Sequence, residues 1–303
     1  MRALSNTDLD RALGFAIPAR HARGRLVRLG PTLDRVLAAH AYPPAIERLL
    51  AEALCLTALI GSTLKGEGAQ LTMQTRAETG VVRLLVCDWR DGEVRGYVEF
   101  DAEALAALPD APDLPALFGE SGYLAITFEL ASTGERYQGI VPLDGVSLAD
   151  AAQSYFVQSE QIPTLVRVGV TKRPDGTTVA GGLLLQHLPE GELGRERLHV
   201  RLDHPEWEHV AALGQTVEPA ELADAQLPLE DLLWRLFNED EVRLLGGGAV
   251  TRGCRCGADY FAGVLAKFSA ADRLEMADAD GTIPVDCHFC AQTFRVPVDA
   301  VAA

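Results

Sequence analysis

Apolar residues recur along this chain with two different periods, and the order in which those periods alternate predicts most of its elements. From about Ala45 to Leu64, introduced by Tyr42-Pro43-Pro44, the residues Leu49, Leu50, Leu54, Leu56 and Ile60 make the most apolar helical stretch of the sequence. A helix with so little polar surface belongs at the centre of a core. Before it, Arg25 to Leu29 predicts a short strand. After it, Gln70 to Thr75, Val81 to Cys87 and Glu93 to Phe100 read as strands, with turns at Gly80 and Asp91-Gly92. Ala102 to Phe118 has helix-forming residues but is broken by Pro109, Pro112 and Pro115, which predicts a surface excursion. Strands resume at Tyr123 to Leu130 and Tyr137 to Pro142, around a turn at Ser132-Thr133-Gly134-Glu135. Ser147 is placed to cap a helix from Leu148 to about Ser159, and Leu165 to Thr171 pairs with Thr178 to Gln186 across Pro174-Asp175-Gly176. These residues predict one α+β domain with a largely antiparallel sheet, over 1–187.

The pattern changes after Leu188, where Pro189, Gly191, Gly194, Pro205, Gly214, Pro219 and Pro228 punctuate short helical pieces. Leu229, Leu232, Leu233, Leu236 and Phe237 form an apolar stripe opposite Glu230, Asp231 and Glu239, and Trp207 with Val210 and Ala211 begins another. This predicts a helical linker over 188–245, with Gly246-Gly247-Gly248 as a flexible joint after it. The glycine run lacks the lysine and the serine or threonine of a phosphate loop.

Composition narrows the class. A chain of 303 residues with 48% hydrophobic content can bury a sizeable core. Met1 to Arg28 has no apolar run of the signal-peptide kind, and no segment approaches the length of a membrane span, so a cytoplasmic protein is expected. The net charge of −16 and pI near 4.8 argue against nucleic acid or an anionic membrane surface as partner. From Asp203 to Glu241 acidic residues heavily outnumber the single basic one, Arg235.

Four of the six cysteines fall in the last fifty residues, as Cys254-Arg255-Cys256 and Cys287-His288-Phe289-Cys290. A pair at either spacing can aim both sulfurs at one cation, and two pairs complete the tetrahedral cage of a structural Zn²⁺ site. In a reducing compartment such a quartet reads as a metal or redox site rather than standing disulfides. Between the pairs, Tyr260, Phe261, Val264, Leu265 and Phe268 recur at helical spacing, Ser269 and Asp272 resemble a capping box, and Asp280-Gly281 makes a turn. Thr282 to Asp286 and Thr293 to Val298 would form a hairpin presenting Cys287 and Cys290. So small a zinc-binding domain, over 246–303, would draw much of its stability from the metal, on the order of 10–16 kcal/mol in zinc-finger peptides. The remaining two, Cys55 in the apolar helix and Cys87 in a strand, read as buried unreactive thiols.

With these residues in view the chain resembles the redox-regulated heat shock protein 33 family, the bacterial 33 kDa chaperonins, over nearly its full length. The resemblance rests on the two cysteine pairs at this separation, on Tyr155-Phe156-Val157-Gln158-Ser159-Glu160-Gln161-Ile162-Pro163-Thr164, on Val94-Arg95-Gly96-Tyr97, and on the Leu229 to Glu239 stripe. It implies an ATP-independent holdase rather than an enzyme, inactive while reduced and zinc-bound. Cys254, Cys256, Cys287 and Cys290 would be the zinc ligands, and oxidation would join Cys254 to Cys256 and Cys287 to Cys290 as zinc leaves. The metastable linker would then unfold and expose apolar surface to unfolded client proteins, with Trp207, Leu229, Leu232, Leu233, Leu236 and Phe237 as apolar residues of the linker or client site. The reduced form would be a monomer and the oxidised form a homodimer. Gly253 departs from the larger, often aromatic residue expected before the first cysteine.

Two other classes compete. A structural zinc-ribbon adaptor would keep its zinc under peroxide. A thiol-disulfide oxidoreductase would use Cys287 and Cys290 as its dithiol, but the flanking pattern is not βαβ. His288 is expected beside the metal site rather than on the metal. Ser159 and Glu160 invite an active-site reading, but no histidine accompanies them in sequence, and a helix end with side chains bonded to backbone groups is the better expectation.

Overall fold

The computed structural model describes residues 9–131, 133–143, 145–188 and 204–300. Strands β1 (Arg11–Ile17) and β2 (Ala22–Leu29) lead into helices α1 (Pro31–Leu37) and α2 (Pro44–Gly61). Proline opens α2 where its missing N–H leaves no bond unmade. Leu49, Leu50, Leu54, Cys55, Leu56, Leu59 and Ile60 are all buried, and from Ala53 to Gly61 α2 is buried on every side. That is possible only because it lies between two sheets.

One sheet follows directly: β3 (Gln70–Arg76), β4 (Val82–Arg90) and β5 (Glu93–Phe100), then helices α3 (Ala102–Ala106) and α4 (Leu114–Phe118), then β6 (Tyr123–Glu129) and β7 (Arg136–Pro142). After α5 (Leu148–Tyr155) come β8 (Thr164–Lys172) and β9 (Thr178–His187), the helices α6 (Pro205–Gln215), α7 (Pro219–Leu222) and α8 (Leu229–Phe237), and strands β10 (Arg243–Ala249) and β11 (Thr251–Arg252). The last elements are α9 (Ala258–Leu265), α10 (Ala270–Glu275), β12 (Thr282–Asp286) and β13 (Thr293–Pro297). The sheets run β10-β1-β2-β9-β8, β11-β5-β4-β3-β6-β7 and β12-β13. Every pairing is antiparallel except β11 on β5.

The α+β, antiparallel expectation holds, but the expected single sheet is two. Strand β1 escaped the sequence pattern because it alternates large and small apolar residues rather than apolar and polar ones: Leu13, Phe15 and Ile17 pack under the helices that follow β9, and Ala12 joins the central core. Gly246-Gly247-Gly248 is not a loose joint. It lies in β10, paired with β1, and a Cβ at Gly247 would strike the Ala12 carbonyl. The stretch Ala102 to Phe118 is not merely a surface excursion either: Leu114, Leu117 and Phe118 of α4 are buried, and Pro115 sits in its first turn under the Asp113 cap. Ser147 caps α5 as expected, and the helix widens into a π turn over Phe156–Glu160 that ends at Gln161. Ser132, Pro189, Gly191, Gly194 and Asp203 lie outside the described residues.

Helices α6, α7 and α8, the expected linker, lie on the outer face of the five-stranded sheet. Trp207, Leu229, Leu232, Leu233, Leu236 and Phe237 pack there on Leu13, Phe15, Ile17, Leu183 and Leu185. Short α7 sinks deepest. Gly169 and Gly181 are paired across β8 and β9, and a Cβ on either would overlap the α7 backbone at Pro219 or Leu222. The cysteine-bearing residues, by contrast, approach the six-stranded sheet through β11 on β5.

Candidate metal centre

Each cysteine pair is carried by backbone that a regular element holds in place. After β11 the chain stays on the edge of β5, with Thr251 N–H donating to the Gly92 carbonyl at 2.9 Å and Gly253 N–H to the Val94 carbonyl at 3.0 Å. This explains glycine at 253. A Cβ there would fall on the Glu93 side chain, so the larger residue expected before Cys254 has no room beside this β5. The second pair sits at the turn of the β12–β13 hairpin. There the N–H groups of Cys290 and Ala291 both donate to the Cys287 carbonyl, at 3.2 and 2.8 Å, and Ala291 takes the left-handed conformation that closes the turn.

The two turns bring four sulfurs together. Cys254 Sγ lies 3.1 Å from Cys256 Sγ and 3.6 Å from Cys287 Sγ, Cys256 Sγ lies 3.4 Å from Cys290 Sγ, and all four fall within 4.8 Å of one another. These separations are far beyond a disulfide bond of about 2.05 Å. The three shortest lie just under the edge of about 3.8 Å that a tetrahedron with Zn–S bonds of about 2.3 Å requires. The His288 ring points elsewhere, its Nδ1 3.4 Å from Glu99 and its edge on Tyr97, which leaves an all-sulfur donor set. By geometry and donor chemistry the four cysteines are a group that could hold a metal ion.

Without a cation the four thiols share charge unequally. Burial opposes ionisation of Cys254, Cys256 and Cys287, but at Cys254 hydrogen bonds from Cys256, Cys287 and Cys290 outweigh it and hold this thiol below its ordinary range. Cys256 is pushed well up by burial and then by its hydrogen bond to Cys254, and burial also pushes Cys287 up. One thiolate thus forms at the expense of its neighbours. A divalent cation among them would reverse that and hold all four deprotonated.

The folded body around the site is thin. Leu265, Ile283 and Val296 are its buried apolar residues among those described. Of the expected helical stripe, Leu265 is buried and Phe261 packs beside it, but Tyr260 is 59% and Phe268 43% exposed. Ser269 caps α10 in the expected box with Asp272.

Other singled-out residues lie elsewhere. Trp207 and the Leu229–Phe237 stripe are buried on the five-stranded sheet, whereas the cysteines sit over the six-stranded one. Cys55 and Cys87 are wholly buried in the central core, and burial drives both thiols far from ionisation. Glu160 accepts a bond from the Tyr155 hydroxyl at 2.7 Å, a side-chain clasp across the helix end rather than the expected backbone cap.

Pattern reading also missed the polar contacts beneath the cysteines. In Val94-Arg95-Gly96-Tyr97, Val94 and Gly96 face α2, where a Cβ on Gly96 would meet Cys87 and Leu50, while Arg95 and Tyr97 face the cysteine turns. Strand alternation implies two faces; only the register shows what covers each.

Residues 10–297 match the family model described as Hsp33 protein. The chain is 40% identical over 294 residues to the 33 kDa chaperonin of Caulobacter vibrioides, covering 95% of this chain and 94% of that one. It is 35% identical over 275 residues to the 33 kDa chaperonin of Pseudoalteromonas atlantica, covering 91% and 88%. A crystal structure of the Thermotoga maritima heat shock protein 33 homolog shares the fold, with a TM-score of 0.78 at 21% identity over 96% of both chains. The chain belongs to the Hsp33 protein family, the 33 kDa chaperonins.

Proposed function

We propose that the protein is a redox-regulated, ATP-independent holdase whose switch is the four-cysteine centre. The observation that carries this reading is that one chain holds both a non-covalent cage of four sulfurs and a set of acidic helices laid over an apolar sheet face. In the reduced protein Cys254, Cys256, Cys287 and Cys290 hold one Zn²⁺, which keeps the sulfurs as thiolates, the form that oxidants attack. Cys254 and Cys256 then give two electrons to a peroxide: an S–S bond forms, the O–O bond breaks, and two hydroxides leave. Cys287 and Cys290 do the same with a second peroxide. Each disulfide removes two ligands, and zinc leaves.

The consequences follow from the division into a client-binding domain (1–187), a metastable linker (188–245) and a switch domain (246–303). With three buried apolar residues and no metal, the switch domain loses its fold. Strands β10 and β11, which tether the end of α8, lose their anchor. Helices α6, α7 and α8 have 11, 4 and 9 residues, too short to persist alone, and their acidity favours disorder. Their release exposes Leu13, Phe15 and Leu183, together with Trp207, Leu229, Leu232, Leu233, Leu236 and Phe237, to unfolded clients. The reduced protein is a monomer and the oxidised one a homodimer. It works in the cytoplasm, where reducing conditions reset the switch, and its charge turns it away from nucleic acid and membranes.

The test compares zinc content with suppression of aggregation of an unfolded client, in reduced and peroxide-treated protein. One zinc and little holdase activity when reduced, then no zinc and strong activity when oxidised, is the expected result. Equal activity in both states, or no bound zinc, overturns the reading.

A further inference from the structure

We infer that Asp88 is a positioning residue that clamps both cysteine turns onto the six-stranded sheet and thereby sets how readily the centre is oxidised. The inference rests on the redox reading above. Asp88 lies in β4 directly opposite Arg95 of β5, and its side chain is only 6% exposed. Thr72 donates to Oδ1 at 2.8 Å, and Arg95 donates to Oδ2 through Nε at 2.8 Å and Nη2 at 2.6 Å.

Both cysteine turns meet this fixed group. Arg255, the middle residue of the first pair, brings Nη2 to 3.6 Å from Asp88 Oδ2. Phe289, inside the second pair, lies with its ring centroid 3.9 Å from the Arg95 guanidinium carbon and edge-on to Tyr97 at 5.0 Å. The His288 carbonyl, next to it, is 2.9 Å from His40 Nε2. One buried carboxylate therefore holds Arg255 directly and Phe289 through Arg95.

This arrangement holds the two turns while the four thiols are separate. A Cys254–Cys256 disulfide draws sulfurs that are 3.1 Å apart to about 2.05 Å and pulls the backbone of Arg255 between them. Docking is then linked to the redox state: whatever factor the clamp contributes to holding the reduced form, oxidation must overcome by the same factor. Removing the clamp makes the centre easier to oxidise.

The experiment equilibrates full-length zinc-loaded protein with reduced and oxidised glutathione and follows zinc release with a chromogenic chelator. Each cysteine pair passes two electrons to glutathione disulfide, whose S–S bond breaks as the protein's forms, releasing two glutathione thiolates. Asp88→Asn, Arg255→Ala and Phe289→Ala should each raise the [GSH]²/[GSSG] ratio at half release about fivefold or more. Asp88→Glu should stay near wild type. Asp88→Asn with Arg255→Ala should shift no further than Asp88→Asn alone, since both remove one contact. Arg255 and Phe289 lie outside the six-stranded sheet, so their variants test the clamp even if Asp88→Asn disturbs folding. Wild-type ratios in Arg255→Ala and Phe289→Ala, with zinc still released from the parent, overturn the clamp and leave the redox reading standing. A parent that binds no zinc overturns both.

Discussion

Arg28 has no solvent exposure, yet it carries a guanidinium into an apolar face. Its Nε donates to the Leu222 carbonyl at 2.9 Å, Nη2 to the Glu221 carbonyl at 3.3 Å, and Nη1 to the Leu227 carbonyl. Glu221 and Leu222 end α7 and Leu227 lies in the turn after it, so one side chain of the five-stranded sheet bonds the backbone carbonyls where this short helix stops. Replacing Arg28 with Met removes the side-chain donor from the Leu222 and Leu227 carbonyls, while Glu221 keeps the Asp224 N–H. We expect a loss of docking on the order of 3 kcal/mol, read as faster hydrogen exchange over Pro205–Phe237 with the six-stranded sheet still protected. Cys55 and Cys87 predict the opposite kind of result. Burial keeps both thiols protonated and neither joins the sulfur cluster. The Cys55→Ala, Cys87→Ala double variant should keep one zinc and an unchanged oxidant response while losing about 1–3 kcal/mol of stability to unfilled volume; loss of the response in a folded double variant would contradict this.

At the scale of elements, the linker helices are joined to the sheet's edge by an ionic cluster as well as by apolar contact. Arg20, in the turn between β1 and β2, bonds Asp240 after α8 at 2.8 Å and Glu206 of α6 at 2.5 Å, and His209 of α6 reaches Asp240 at 3.1 Å. Burial opposes the charge on Asp240, but the bonds from Arg20 and then His209 outweigh it and hold this carboxyl below the usual range; Arg20 does the same for Glu206. A carboxyl depressed in the folded state stabilises above its unfolded pKa, near 4, and that contribution is lost as pH falls through the folded value. Docking of α6 and α8 should therefore loosen below about pH 4, reported by the fluorescence of Trp207, which is buried on the sheet. Asp240→Asn should loosen docking already at neutral pH and flatten the acid dependence. An unchanged acid profile in that variant would remove the cluster from the account.

For the whole molecule, the layering separates the sulfur cluster from the helices over the apolar sheet face. The linker helices lie on the five-stranded sheet, the cysteine turns on the six-stranded one, and β10 with β11 is the chain between them. Each of these strands pairs with a different sheet, β10 with β1 and β11 with β5, so the chain between α8 and the first cysteine pair is held along two sheet edges. Metal removal isolates the first step. A strong chelator should unfold residues 254–297, whose apolar core is Leu265, Ile283 and Val296, while β3 to β7 keep their protection. Continued protection of the β12–β13 hairpin without metal would show that the module folds on its own.

Much of this organisation was legible in the chain itself, because its signals are local. The two tight cysteine spacings, the capping boxes at Ser147 and Ser269, the apolar run of α2 and the β12–β13 hairpin each depend on residues a few positions apart. Register and layering depend on residues far apart in sequence, and these the tertiary structure alone decided. Strand β1 alternates large and small apolar residues and so offers no polar face to read. Gly246-Gly247-Gly248 looks loose in sequence but is strand, since pairing with β1 supplies the order that glycine lacks. Gly253 became intelligible only with Glu93 beside it, and Arg28 and Asp88 only once the carbonyls of the linker and the guanidinium of Arg255 were brought to them. A buried charge is tolerated where distant partners converge on it, and that convergence is a property of the fold.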